Sequence, residues 1–469
     1  MGSRLVNFFQ VNPKEASSIE LVKLLFSSNI QKRKFIQSSY KREESFIYRF
    51  IIVLSVLVQK FLLKIALPVE LLGSFLVYLL NFLYANDGFF GLIRNIMRVK
   101  VVIPHWRSAN YLCLIGLLDA RMELDSGIKH GNPMYYPALS IMACKTVYNN
   151  AAYNQALIEG QWKMEFLGFR NYWNDFTGKP DTQVVMFRDK DVDHDTIVVC
   201  FRGTQPFNLN DWCSDVDLSW HEFPKIGRIH SGFMKALGMQ SDVGWPEEVD
   251  NDSYTGGRKA ALAYYDIRDT LRTLLRKNPE AKFIVTGHSL GGALAALFPA
   301  ICFYHDERLL LDRMEAIYTF GQPRVGDEAF GNYMNMNLTK RGIHYYRYVY
   351  CNDVVPRVPS DRVFKHFGNC VYYDSKYEAS IVEEVPYKNY LSICGGISMR
   401  RNAIYELMRS FDVGRKYGEE YKEGWLLFGM RMFGLVIPGL PAHCPQDYVN
   451  STRLGSHSHH HLLSRVFHH

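Results

Sequence analysis

Phe283-Ile284-Val285-Thr286-Gly287-His288-Ser289-Leu290-Gly291-Gly292-Ala293-Leu294-Ala295 is the stretch from which the fold can be read. Four apolar or β-branched residues read as a strand, and the Ala/Leu run after Gly292 reads as a helix. Between them stands Gly-His-Ser-Leu-Gly. A bare GxSxG arises by chance in roughly one chain in six of this length at ordinary Gly and Ser frequencies, so the pentapeptide alone decides nothing. Its setting decides it. A strand, a sharp turn and a helix start make a nucleophile elbow, in which the turn is so tight that the residues two before and two after the serine must lack side chains. Gly287 and Gly291 meet that demand and present Ser289 above a sheet edge.

Around the elbow, short β-rich runs alternate with helical ones. Candidate strands are 182–187, 196–201, 282–286, 315–320, 345–350 and 370–373; candidate helices are 136–159, 258–277, 290–305 and 329–339. Such alternation predicts an α/β domain around a mostly parallel sheet, here over residues 108–455. Residues 376–437 read as an insertion ending in the apolar run 425–437. The His-rich tail 456–469 has no core pattern and is expected to be disordered.

A nucleophilic serine needs a base, and the base an orienting acid, in the chain order Ser, acid, His. Asp353 directly follows a strand and is fixed by Pro356 and Pro359, whereas Asp327 reads as a helix N-cap. Two histidines lie within reach. His443 in the loop Pro438-Gly439-Leu440-Pro441-Ala442-His443 is the preferred base over His366, which reads as structural. The oxyanion needs backbone N–H donors. Leu290 supplies one as the residue after the nucleophile, and Thr204, where the strand 198–201 stops at Arg202-Gly203-Thr204, offers another with its hydroxyl. Neither a metal-ligand cluster nor a phosphate loop stands out, so no cofactor is expected.

Charge and hydropathy set the N-terminus apart. The chain of 469 residues carries a formal charge of +7. Residues 1–107 hold 15 Lys and Arg against 6 Asp and Glu, a net of +9, which leaves −2 for the rest. The same region contains the most apolar stretch, 46–84. Basic and apolar together point to a lipid surface and away from nucleic acid. The longest charge-free window, 71–86, is short for a spanning helix. Arg49, Lys60 and Lys64 fall within about 60° on a helical wheel. These features predict an amphipathic hairpin with arms 46–66 and 69–84, bent at Pro68, dipping into one leaflet or a lipid monolayer. Nine scattered cysteines without a CxxC pair read as free thiols in a reducing compartment. No secretory, transit or myristoylation signal is expected at the start.

Phe201-Arg202-Gly203-Thr204, Asn210-Asp211-Trp212, His230-Ser231-Gly232-Phe233, the elbow, Gly321-Gln322-Pro323-Arg324 and Asn352-Asp353-Val354-Val355-Pro356 occur in this order. The set resembles the class 3, fungal-type lipases over about residues 180–375 and the His443 loop. With the N-terminal apolar segment, the long insertion and Asp447-Tyr448-Val449-Asn450, it is most like the plant oil-body triacylglycerol lipases. The resemblance implies an α/β-hydrolase fold and a Ser289-Asp353-His443 triad. It also implies an oxyanion hole at Thr204 and Leu290, and a lid over about 205–220. In that lid Phe207, Leu209, Trp212, Val216, Leu218 and Trp220 alternate with Asp211, Asp215 and Asp217, which suggests an apolar face on the serine and an acidic face in water. The implied activity is hydrolysis of triacylglycerol, and of di- and monoacylglycerol, at the cytosolic surface of a lipid droplet. A phospholipase A1 or galactolipase on bilayer lipids, or a catalytically silent scaffold, are the rival readings.

Overall fold

The computed structural model describes residues 7–27, 29–39, 44–239, 244–249, 260–390 and 393–455. The His-rich tail lies outside these residues. Eight strands form the main sheet: β1 Glu165–Asn174, β2 Lys179–Lys190, β3 Asp195–Phe201, β4 Lys282–His288, β5 Met314–Phe320, β6 His344–Tyr350, β7 Cys370–Tyr373 and β8 Ala379–Val382. They lie side by side in sequence order. β3 to β7 pair in parallel, while β1, β2 and β8 add antiparallel edges. This is the expected α/β-hydrolase architecture. Each parallel strand is apolar on both faces because helices cover both. In β3, Ile197, Val199 and Phe201 enter one core and Val198 and Cys200 the other. The helix after the elbow, Leu290–Tyr304, packs on the first face, and Tyr135–Thr146 and Pro445–Leu454 on the second. The predicted helix 136–159 is two helices, since Asn150 caps a new start by accepting from the Tyr153 amide.

The N-terminal region departs from expectation. Phe46–Ala85, here α1, is one continuous helix of 40 residues with Pro68 inside it, not a hairpin. At 1.5 Å per residue it extends for about 60 Å. Proline costs the helix one backbone hydrogen bond, but packing on both sides of it offsets the loss. Ile52, Gln59, Ala66, Gly73 and Leu80 are all buried and stand seven apart, so a single inward stripe runs through the proline. A sharp bend at Pro68 would take half of that stripe off its support. α1 is long and apolar enough to cross a membrane by length and composition.

The basic stripe also has a different purpose from the one its pattern suggested. Lys60 Nζ donates to the Pro13 and Ala16 carbonyls at 3.3 and 2.8 Å, and Arg49 Nη2 to the Leu25 carbonyl at 3.2 Å. Two of the three cations therefore hold the N-terminal segment, and only Lys64 is exposed. That segment is not a separate arm. Strand Asn7–Val11 pairs antiparallel with Trp220–Phe223, and Phe9, Leu21, Leu24 and Phe35 share a core with Ile52, Val56, Leu218 and Trp220.

Candidate active site

Ser289 stands at the turn between β4 and Leu290–Tyr304 (α3) with φ +60° and ψ −134°, a backbone conformation that side-chain-bearing residues rarely adopt. Its neighbours explain how the strain is held. A Cβ on Gly287 would lie 2.0 Å from the Gly291 carbonyl oxygen, and one on Gly291 2.2 Å from that of Phe201. A third glycine, Gly203, must be bare as well, because its Cβ would fall 2.9 Å from that of Ser289 and 2.2 Å from Tyr148 Oη. Ser289 is 2% exposed. Leu290 is the first residue of α3, whose leading amides lack intrahelical partners. Thr204 lies in the buried loop that follows the end of β3 at Phe201; Arg202 anchors this loop through Gln183 Oε1 at 2.6 Å and the Asp181 carbonyl at 2.9 Å.

Asp353 and His443, 90 residues apart, meet at the C-terminal end of the sheet. His443 Nδ1 lies 2.8 and 2.9 Å from the two carboxylate oxygens of Asp353. Asp353 also accepts from the Val355 amide at 2.9 Å and from Tyr448 Oη at 2.5 Å. The imidazole stacks on His288 at a centroid separation of 4.5 Å, and its Nε2 is buried without a partner. With Nδ1 taken by the carboxylate, Nε2 is the nitrogen left for a proton from a hydroxyl. His366 lies apart from this group; its Nε2 faces the Pro356 carbonyl at 2.8 Å. Asp327 caps Glu328–Arg341 by accepting from the Phe330 amide.

A family profile for lipase (class 3) matches residues 198–363. The chain is 37% identical to the triacylglycerol lipase OBL1 of Arabidopsis thaliana, over 96% of this chain and 95% of that protein. The chain belongs to the class 3 lipases. It is 38% identical to the tobacco (Nicotiana tabacum) triacylglycerol lipase OBL1 over 87% of this chain and 84% of that one. Among solved structures, the Rhizomucor miehei lipase propeptide complex covers 53% of this chain and 67% of its own at 27% identity, with a TM-score of 0.38.

Over the site lies Leu209–Val216, α2, within the expected lid. Trp212 stands edge-on to His443 at 6.4 Å between ring centroids. The predicted division into an inward apolar and an outward acidic face is reversed in part. Asp211, Asp215 and Asp217 are all buried, whereas Leu209, Trp212 and Val216 are half-exposed. Asp215 Oδ2 accepts from Thr204 Oγ1 at 3.2 Å, so α2 holds one of the two oxyanion-hole candidates. Burial, countered in part by that hydrogen bond, pushes the Asp215 carboxyl up to about 8. Burial and the nearby Asp181 take Asp211 to about 7, and burial takes Asp217 to about 6.

Four contributors were not visible as site residues in the sequence. Tyr448 carries the hydroxyl on Asp353. Gly321, at φ +59°, gives room to the acid-histidine pair, since a Cβ there would lie 2.7 Å from Asp353 Oδ2 and 3.0 Å from His443 Nδ1. His288 must donate from Nε2 to the His443 carbonyl at 2.8 Å, which leaves Nδ1 to accept from Tyr148 Oη at 3.0 Å; burial keeps it neutral by lowering its pKa. Beneath the histidine loop, buried Arg431 binds Asp447 at 2.7 Å and Glu423 at 2.8 Å, and Arg409 binds Asp447 at 2.9 Å. The insertion helices Ile393–Tyr417 and Trp425–Gly434 are thereby tied to the residue four past His443. Trp425, Met432 and Phe433 of the apolar run are exposed, and Leu427 is core.

His130, Asp193 and His194 cluster beside the β2–β3 turn. The two imidazoles stack at 3.8 Å with 17° between planes. Ions bind in the imidazole plane at about 2.0–2.1 Å, and no ion can lie in both planes of such a stack.

Proposed function

We propose that this chain is a serine carboxylester hydrolase that releases fatty acids from triacylglycerol, and from the partial glycerides that follow, at the surface of a lipid droplet. The observation that carries the reading is a strained serine, Ser289, beside an imidazole that Asp353 holds through Nδ1, that stacks on His288, the residue before the serine, and whose Nε2 is buried without a partner. Ser289 Oγ attacks the ester carbonyl while His443 Nε2 takes its proton. Asp353, fully hydrogen-bonded, keeps Nδ1 protonated and stabilises the imidazolium. The Leu290 amide and the Thr204 amide and hydroxyl receive the negative charge of the tetrahedral oxygen; a donor of this kind contributes about 10²–10³ in rate. His443 then protonates the departing glyceride. Water, deprotonated by the same nitrogen, releases the acid from the acyl-enzyme.

The OBL1 relatives, named triacylglycerol lipases, support the substrate class. The outward face of α1 supports the surface. Phe50, Leu57, Phe61, Leu71, Leu72 and Phe75 are 49–69% exposed, and Phe90, Val99 and Ile103 extend the patch. Burying one such side chain contributes roughly 1.5–3 kcal/mol, so a few suffice to hold the protein on an apolar phase. The eight cysteines whose side chains are described are free, which fits a cytosolic face.

The test is an assay of the purified protein and its Ser289→Ala variant on emulsified triacylglycerol, monoacylglycerol and phospholipid. Fatty acid release from triacylglycerol by the native protein alone is expected. Equal rates from both forms would end the mechanism, and release from phospholipid alone would replace the substrate.

A further inference from the structure

Two uncharged polar residues of α1, Ser55 and Gln59, suit neither a lipid face nor a plain core stripe. Gln59 is 2% exposed and donates from Nε2 to Ser55 Oγ at 3.1 Å. Ser55 Oγ in turn donates at 2.6 Å to the carbonyl of Val216, the last residue of the lid helix. The thiol of Cys213, on the same helix, lies 3.8 Å from the Gln59 carbonyl. At the other end of the lid, the ring of Phe207 rests on Gly73; a Cβ there would come within 2.2 Å of the ring. α1 therefore touches the lid before, within and at the end of α2, along the face opposite its exposed one.

We propose that α1 is the latch of the lid, and that an acylglycerol surface taken up by its outer face is what shifts the latch toward release. This rests on the docking reading given above and adds to it a link between docking and access to Ser289. A lipid shifts such an equilibrium only as far as it favours one state. Here it does so because α2, released, turns Leu209 and Trp212 toward the phase on which α1 already lies. In water those side chains stay half-buried, and the hydroxyl of Ser55 donates to Val216 while the lid is shut. Opening therefore forfeits a buried hydrogen bond and the Phe207–Gly73 contact, and an apolar phase compensates for both.

Two substitutions weaken the latch without touching the site. Ser55→Ala removes the donor to Val216, and Gly73→Ala displaces Phe207. The readout is turnover of a water-soluble short-chain ester below its solubility limit, with no lipid present, set against turnover on triolein emulsion. Loss of one net hydrogen bond shifts an equilibrium by about two- to ten-fold. Each variant is expected to raise the soluble-ester rate by that factor and to lower the emulsion-to-soluble ratio accordingly, while Ser55→Thr, which keeps the hydroxyl, retains the native ratio. An unchanged ratio in both alanine variants, with native circular dichroism, overturns the latch. Should either variant fail to fold, hydrogen exchange on the native protein decides. Triolein emulsion should speed exchange of the amides of 209–217, and unchanged protection overturns the proposal. Flotation of the native protein with the emulsion is scored separately. Failure to float removes the docking reading, whereas the soluble-ester result speaks to the latch alone.

Discussion

Asp215→Asn should flatten the pH dependence of access to Ser289. In the closed lid the Asp215 carboxyl is 1% exposed, accepts from Thr204 through Oδ2, and has no partner on Oδ1. Its pKa of about 8 lies above the ordinary value near 4 that it regains once the lid lifts it into water. The sign is the reverse of the usual salt-bridged aspartate. Between pH of about 4 and 8, opening releases a proton, so the closed state weakens as pH rises, by about 1.4 kcal/mol per unit, and the effect levels off above 8. From pH 6 to 8 that amounts to as much as about a hundred-fold in the lid equilibrium, less where Asp211 titrates alongside. Asparagine keeps the shape and an acceptor for Thr204 but has no proton to lose. The assay is turnover of a soluble short-chain ester from pH 5.5 to 9 by both forms. Dividing one profile by the other cancels His443 and every other shared titration. The native-to-variant ratio is expected to climb at least five-fold between pH 6 and 8 and then plateau. A ratio constant within two-fold, or one that falls with pH, would refute the idea that this carboxyl couples protonation to lid closure.

Tyr448→Phe removes the hydroxyl that Asp353 accepts at 2.5 Å and leaves the ring in place. A hydrogen bond to a charged group is worth about 1.5–3 kcal/mol, so kcat should fall about ten-fold or more with KM nearly unchanged, measured on a soluble ester. Arg431→Met leaves Asp447 and Glu423, both fully buried, without a principal counterion. A loss of about 3–5 kcal/mol is expected, seen as a lower thermal midpoint in calorimetry, and kcat should fall with it because the His443 loop loses its footing. Gly321→Ala places a methyl against both Asp353 and His443. It should lower kcat by at least ten-fold while the melting temperature moves little, whereas Gly342→Ala, at a helix end with open space around it, should cost stability without selective loss of kcat.

The elbow and the six strands around it were legible because their cause is local. Strand, turn and helix are set by neighbours in sequence, and Gly287 is required by Gly291 four residues on, although Gly291 itself is required by the Phe201 carbonyl at the end of β3. Asp353 was legible for the same reason, as the acid at a strand end between prolines, and His443 because it closes a proline-rich loop. Tyr448, Gly321 and Arg431 act at a distance. Tyr448 reaches back across 95 residues to Asp353, and nothing in Asp447-Tyr448-Val449-Asn450 states which carboxylate its hydroxyl will find. The buried acids of the lid were misplaced by the same limit. Alternation of apolar and acidic residues announces two faces, but Asp215 turns inward because Thr204 is there to donate to it.

α1 shows what periodicity can and cannot determine. Arg49, Lys60 and Lys64 do share one side of the helix, as 100° per residue requires, and the inference from that stripe to phosphate headgroups would hold for an isolated helix. In the folded chain the nearest acceptors are the carbonyls of Pro13, Ala16 and Leu25, held within hydrogen-bonding distance by a sheet that the N-terminal strand forms with residues beyond the lid. A carbonyl fixed in place costs a lysine less ordering than a mobile headgroup does. The apolar side of α1 meets no such competitor over Phe61, Leu72 and Phe75. In the proposed docking, the attraction of this helix to lipid therefore rests on its apolar area and not on its charge. The consequence is measurable: binding to triolein emulsion should be nearly insensitive to salt between 0.05 and 0.5 M, where headgroup attraction by a basic stripe would be screened. Binding lost across that range would return the stripe to the surface.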